Sequence, residues 1–257
     1  MRHALLLGIL SLFLLILPWW FPSLSPLLLV ALLPLMGAER RLPSSPVAQV
    51  LTWMLVSALV AGGWVVLSLL SAGRWESSSL WLILLLWAAL VSFHFIKDYL
   101  GDQRGYIALP FLWISALALP WYQHWSTSIP SFGGLVSIEY SQFSWLSTIG
   151  VMGTSAWIWL INILLYLILE GYLRHRQWRP LTGQIILLLG LLIALPLGLG
   201  SGVTGEVGAQ PKGILGPQPL PADQFISRMS FFLAGFLILF TLVKGFLQHR
   251  DPLNTPS

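Results

Sequence analysis

The chain has 257 residues, 56% of them apolar and only 9% charged, with a mean hydropathy of +0.81. That balance excludes a water-soluble domain with a polar exterior and reads as an integral membrane protein. The lack of cysteine removes disulfides, thiolate metal sites and cysteine nucleophiles together, and the net charge of +4, scattered between apolar runs, acts as a topology signal and does not point to nucleic acid.

Apolar runs separated by charged or Pro/Gly-rich breaks predict an all-α bundle of about eight transmembrane helices, at about 4–18, 23–37, 47–71, 79–97, 106–120, 143–171, 181–199 and 228–247. The opening MRHALLLGILSLFLLILPWW has the basic start and apolar run of a secretion signal, but no small-residue cleavage site follows, so it is expected to stay as a membrane helix. Pro18, Trp19, Trp20, Phe21 and Pro22 form an interfacial turn. The first two runs are short for a span of about 20 residues, which suggests a tilted or shallow hairpin; one long kinked element would instead flip every later orientation.

With eight spans and a cytoplasmic N-terminus, the inner set of basic residues is Arg2, Arg40, Arg41, Lys97, Arg104, Arg174, Arg176, Arg179, Lys244 and Arg250, and the outer set is Arg74, Lys212 and Arg228. The bias follows the positive-inside rule, so both termini are expected in the cytoplasm. Residues 1–199 make a seven-span domain, 200–227 an outer Gly/Pro-rich tether, and 228–257 the eighth span with a short tail. The outer loop 120–142 carries no Lys or Arg and 200–227 is the other long outer stretch, so a functional face is expected on the outer side.

The stretch YSQFSWLSTIGVMGTSAWIWLIN, Tyr140 to Asn162, is too polar to have been chosen only for crossing lipid. Gly150, Gly153, Ser155 and Ala156 offer a small-residue face; such faces let helix backbones approach closely, and the alternative is a groove for an acyl chain. Glu139, Tyr140, Ser141 and Gln142 lie at the outer mouth of that helix, where polar residues either meet water and headgroups or form a lipid-headgroup site. Glu139 with His124 is the one acid/base pair on that face, without a nucleophile or an orienting partner.

His94 is the only histidine within a predicted span, which leaves no bis-histidine haem. It is expected to snorkel or hydrogen-bond near Lys97 and Asp98, the other reading being an axial ligand to a pigment. Glu170 is expected to pair with Arg174 one turn on. No Asp, Glu, Lys or Arg falls near the middle of a predicted span, and no internal repeat or paired broken helices are visible, against an ion-coupled transporter. Trp19, Trp20, Trp75, Trp81, Trp121, Trp125 and Trp145 are placed as an outer aromatic belt. No catalytic residue, metal ligand set or cofactor is assigned.

The run Tyr140-Ser141-Gln142, followed by Gly150-x-x-Gly153 and Asn162, resembles the membrane domain of apolipoprotein N-acyltransferases, which add the third acyl chain to bacterial lipoproteins. AGGWVVLSL (61–69), with Trp64, is similar to that family's Gly-rich helix, and LPFLW (109–113), with Trp113, to its Pro-x-x-Trp segment. The resemblance covers roughly residues 5–200 and the last span, and implies eight spans in a bacterial inner membrane. It also implies phospholipid or acyl-chain contacts at Trp64, Trp113, Glu139, Tyr140, Ser141 and Gln142. The family's nitrilase-like catalytic domain sits where this chain has only 200–227, so no residue here inherits its Glu, Lys and Cys. Leu117 and Pro120 stand where the family tends to have Glu and Arg. The resemblance thus implies a non-catalytic protein that binds lipid or scaffolds a partner, including membrane-complex subunits or a separate nitrilase-like protein.

Overall fold

The structure is a computed structural model and describes residues 1–77, 79–100, 105–122, 129–139, 145–175, 186, 188–190, 192 and 221–250. The described residues are mainly helical, with no strand element. In chain order they form α1 (Arg2–Trp20), a 3-10 helix (Pro22–Leu29), α2 (Leu33–Arg40), α3 (Pro46–Ala72), α4 (Ser79–Leu100), α5 (Ala108–Tyr122), α6 (Phe132–Glu139), α7 (Trp145–His175) and α8 (Pro221–Arg250). Six segments are long and apolar enough to cross a membrane: 2–20, 22–40, 46–72, 79–100, 149–172 and 222–245. The apolar helix at 108–120 is shorter. Of the run predicted at 181–199, residues 186, 188–190 and 192 are described and helical.

Directions follow from paired contacts. Ser11 Oγ donates to the Ala31 carbonyl at 2.6 Å and Gly37 faces Leu7, so α1 and the segment 22–40 run antiparallel as a hairpin. Each arm is a 19-residue stretch, longer than the sequence runs suggested. Gly8 meets Val56 and Gly63 meets Leu12, which sets α1 parallel to α3. Trp53 Nε1 donates to the Leu90 carbonyl at 2.7 Å and Trp87 Nε1 to the Met54 carbonyl at 3.1 Å, so α3 and α4 are antiparallel. The segment 22–40 lies parallel to α7, with Leu32 against Asn162 and Arg40 against Glu170. Gly150 meets Asp223 and Gly153 meets Ile226, so α7 and α8 are parallel, and α8 begins at the end of the bundle opposite to where α7 finishes.

The second arm is broken, for a covalent reason. Pro22, Pro26 and Pro34 each lack an amide proton, and the chain answers with a 3-10 turn, a short gap and then α2. A gap inside lipid leaves backbone groups with no water to bind. Asn162, buried in α7, fills it: its Oδ1 accepts from the Leu32 N–H at 2.9 Å, and its Nδ2 donates to the Leu28 and Ile158 carbonyls at 2.8 and 2.9 Å.

The last helix starts at Pro221, earlier than the expected 228, with proline in its first turn and Asp223 beside its positive end. The expected outer loop 120–142 contains a helix, α6, which packs against α7 and the 3-10 helix. Trp20, Trp75 and Trp81 are exposed at the ends of α1, α3 and α4 that share one end of the bundle. Trp19 of the same expected belt is buried.

Candidate functional site

At the end where α6 lies, the packing is made of rings and glycines. Trp64 of α3, Trp113 of α5, Phe132 of α6 and Trp159 of α7 form one cluster, with Trp113 stacked on Phe132 at 5.4 Å and edge-on to Trp159 at 5.4 Å. Trp64 and Trp113 are fully buried, so neither side chain reaches the surface where a docked partner would touch it. The indole N–H groups of Trp64, Trp113 and Trp159 have no acceptor among the described residues and lie among ring faces instead. Leu117, also fully buried, and Pro120 belong to the buried side of α5.

Gly133 rests directly on the Val151 carbonyl, leaving no room for a Cβ, while its N–H donates to Ser155 Oγ at 3.0 Å. Gly150 has φ +71°, a left-handed value that breaks the helical path of α7 one turn in from its start. The Met152 N–H, just past this break, donates to Asp223 Oδ1 of α8 at 2.8 Å. Gly153 faces Ile226, and Ala156 is half-buried on the same helix. Thus Gly150 and Gly153 seat the last helix, and Asp223 is a contributor that sequence reasoning missed. Tyr140, Ser141, Gln142 and His124 lie outside the described residues, and Glu139 ends α6 with its side chain likewise outside them.

The opposite end is ionic. Glu39 of α2 is 3% exposed, and its carboxylate receives three groups: His94 Nδ1 of α4 at 3.2 Å, the Lys97 ammonium of α4, and the Tyr106 hydroxyl at 3.3 Å. His94 and Lys97, three residues apart, present one face of α4 to Glu39. His94 is therefore hydrogen-bonded as one expectation had it, but enclosed and not snorkelling. Its Nδ1 is held by Glu39, and its ring lies 6.0 Å from that of Trp53.

Glu170 pairs across helices with Arg40, a partner the sequence reading did not name; the side chain of Arg174, its expected partner, lies outside the described residues. Tyr106 and Tyr166, hydroxyls 3.5 Å apart, link the two ion pairs. Within these two pairs the carboxylates of Glu39 and Glu170 balance Lys97 and Arg40. Glu39, His94 and Asp98 bring three metal-type ligand atoms within 4.8 Å of one another, but the Lys97 ammonium already occupies the Glu39 carboxylate and supplies the charge that a cation would bring. Chemically the cluster is a clamp, with every Glu39 oxygen engaged and none left as a free base.

Beside the clamp, a groove of about 490 Å³ opens between α1, α2 and α7. Leu7, Leu33 and Leu169 wall it, Gly37 forms its floor, and Arg40, Arg41, Tyr166 and Glu170 rim it. The sequence signals for this end were Glu39-Arg40-Arg41 closing one apolar run and His94/Lys97 closing another. No protein-family model, curated protein or solved structure matches the chain.

Proposed function

We infer that the chain is a non-catalytic multi-pass protein of a bacterial inner membrane, laid out like the membrane domain of an apolipoprotein N-acyltransferase. It binds lipid, serves as a scaffold subunit for a partner on the outer face, or does both, the outer face being the end of the bundle that carries α6. The observation that carries this reading is the way α6 is fixed. A short helix in the connection between α5 and α7 is anchored by Phe132 in a buried ring cluster, by Gly133 on the α7 backbone and by the Ser131 hydroxyl accepting from the Gly134 N–H at 3.0 Å. Such anchoring fixes α6 itself against α7, and a lipid-headgroup or docking platform needs an element held in this way. The apolar outer side of α8, with Phe225, Phe232, Phe236 and Leu239 exposed, offers the adjoining surface to acyl chains or a partner helix.

Purification of the full chain from native membranes in mild detergent, with mass spectrometry of what accompanies it, tests the reading. A stoichiometric membrane subunit or retained phospholipid supports it. A nitrilase-like protein carrying a cysteine would make the chain the membrane half of a split lipoprotein N-acyltransferase. A chain that travels alone and delipidated, with intrinsic acyl-transfer activity lost in Glu139→Gln and His124→Ala, would overturn it.

A further inference from the structure

We propose that the groove between α1, α2 and α7 holds an anionic glycerophospholipid, its phosphate against Arg40 and Arg41 and the first carbons of one acyl chain along Leu7, Leu33 and Leu169. This site lies at the end of the bundle opposite to α6 and stands independently of any binding there.

Three observations carry it. The groove's volume of about 490 Å³ falls within the range of about 300–1,000 Å³ typical of small-ligand sites. On the second arm the lining is graded by depth: Leu33 lies seven residues before Arg40, which is about 10 Å deeper at 1.5 Å per residue. Apolar lining therefore runs inward from the two arginines, the order in which a lipid presents phosphate and chain, while on α7 Leu169 lies level with Glu170 and the Tyr166 hydroxyl lies a turn deeper. Leu169 of the wall and Leu6 and Leu10 beside it are exposed on the bundle's flank, so the groove opens sideways into hydrocarbon as well as toward water.

The rim's charge selects the headgroup. Arg40 is held by Glu170, which fixes the direction of its guanidinium, and Arg41 is exposed and makes no ion pair among the described residues. Arg40, Arg41 and Glu170 sum to one positive charge, which a single phosphodiester neutralises, and the planar guanidinium fork matches phosphate oxygens. The Tyr166 hydroxyl, 3.5 Å from that of Tyr106, adds a polar group to the same rim. A zwitterionic headgroup would bring its ammonium beside two arginines, and for that reason the anionic class is the occupant. Gly37 leaves the floor open: a Cβ there would meet only the tip of Leu7, at 3.7 Å.

The test is native mass spectrometry of the full chain in detergent, titrated with phosphatidylglycerol, phosphatidylcholine or inorganic phosphate. Phosphatidylglycerol is expected to be retained about tenfold more tightly than phosphatidylcholine. Arg41→Gln, which removes one charge-assisted contact at an exposed position, should lower its retention about tenfold, and Gly37→Leu should abolish it while the melting temperature stays near that of the parent. Equal retention of the two lipids, or indifference to both substitutions, overturns the proposal. Competition by inorganic phosphate at the lipid's own concentration also overturns it, because the apolar wall would then contribute nothing.

Discussion

Where α2, α4, α5 and α7 converge, Glu39, Lys97 and Glu170 are taken out of water and Arg40 partly so; at the other end of the bundle, α3, α5, α6 and α7 touch through aromatic rings and glycine. In lipid, apolar burial gives helices little reason to prefer each other over acyl chains, so both ends must use something else. The ionic end uses partners whose loss leaves an uncompensated charge, and it should fail by deletion. The aromatic and glycine end uses close fit, and it should fail by addition. This asymmetry sorts substitutions into different classes at two ends of one bundle.

The largest effect is expected at the ionic end. Glu39→Leu leaves the buried Lys97 ammonium without a counter-charge, and breaking such a pair typically costs about 3–5 kcal/mol. The double variant Glu39→Leu/Lys97→Leu removes both charges and should recover most of the loss, because a well-packed apolar pair can match a buried ion pair. Denaturant unfolding of the detergent-solubilised protein measures both. If the double variant is no better than the single one, the clamp's hydrogen bonds from His94 and Tyr106 outweigh its charge pairing.

Next comes Gly150→Ala at the other end. A non-glycine residue at this left-handed φ costs about 1–2 kcal/mol, and the added methyl also collides with the Asp223 carboxylate, for a total of about 3 kcal/mol with the overpacking term. Asp223→Ala removes the acceptor for the Met152 N–H without adding volume and should cost less, about 1–2 kcal/mol. A reversed order, with the deletion worse than the addition, would mean that this end also fails by deletion and would remove the asymmetry.

What the sequence disclosed, and what it hid, divides along the same line. The long apolar runs that became α3, α4 and α7 were legible because twenty or more apolar residues have few alternatives to a spanning helix. The small-residue face at Gly150 and Gly153 was also visible, but spacing says nothing about the sign of φ, so the break at Gly150 was not. Glu39 looked like one more charge closing a span, because its partners His94 and Lys97 lie 55 and 58 residues away. Only their i,i+3 spacing on one face hinted at a shared target. Asn162 entered through a resemblance, although a physical cue was present. Three prolines in one arm require hydrogen-bond partners from elsewhere, and a lone buried amide on a neighbouring span can supply both kinds. Helix α6 was concealed because eight residues with two glycines carry no periodic signature.

Between the two ends lies the gap in the second arm, which tests whether a backbone defect in lipid follows the rule of deletion. Asn162→Leu gives up bonds to Leu28, Leu32 and Ile158, and at roughly 0.6 kcal/mol for each bond in a membrane the cost should be about 2 kcal/mol. Ser11→Ala gives up one bond to the Ala31 carbonyl and should cost about 0.6 kcal/mol by the same scale, the smallest effect foreseen here. The pair is most informative together. Ser11 and Asn162 fasten the same few residues, 28–32, to two different helices. If the gap moves as one piece, loss of Asn162 already loosens the Ser11 bond, and the double variant costs less than the two single ones combined. Costs that add within about 0.5 kcal/mol would instead mean that the proline-set 3-10 geometry holds the gap by itself, with the two side chains satisfying its polar groups but not positioning them.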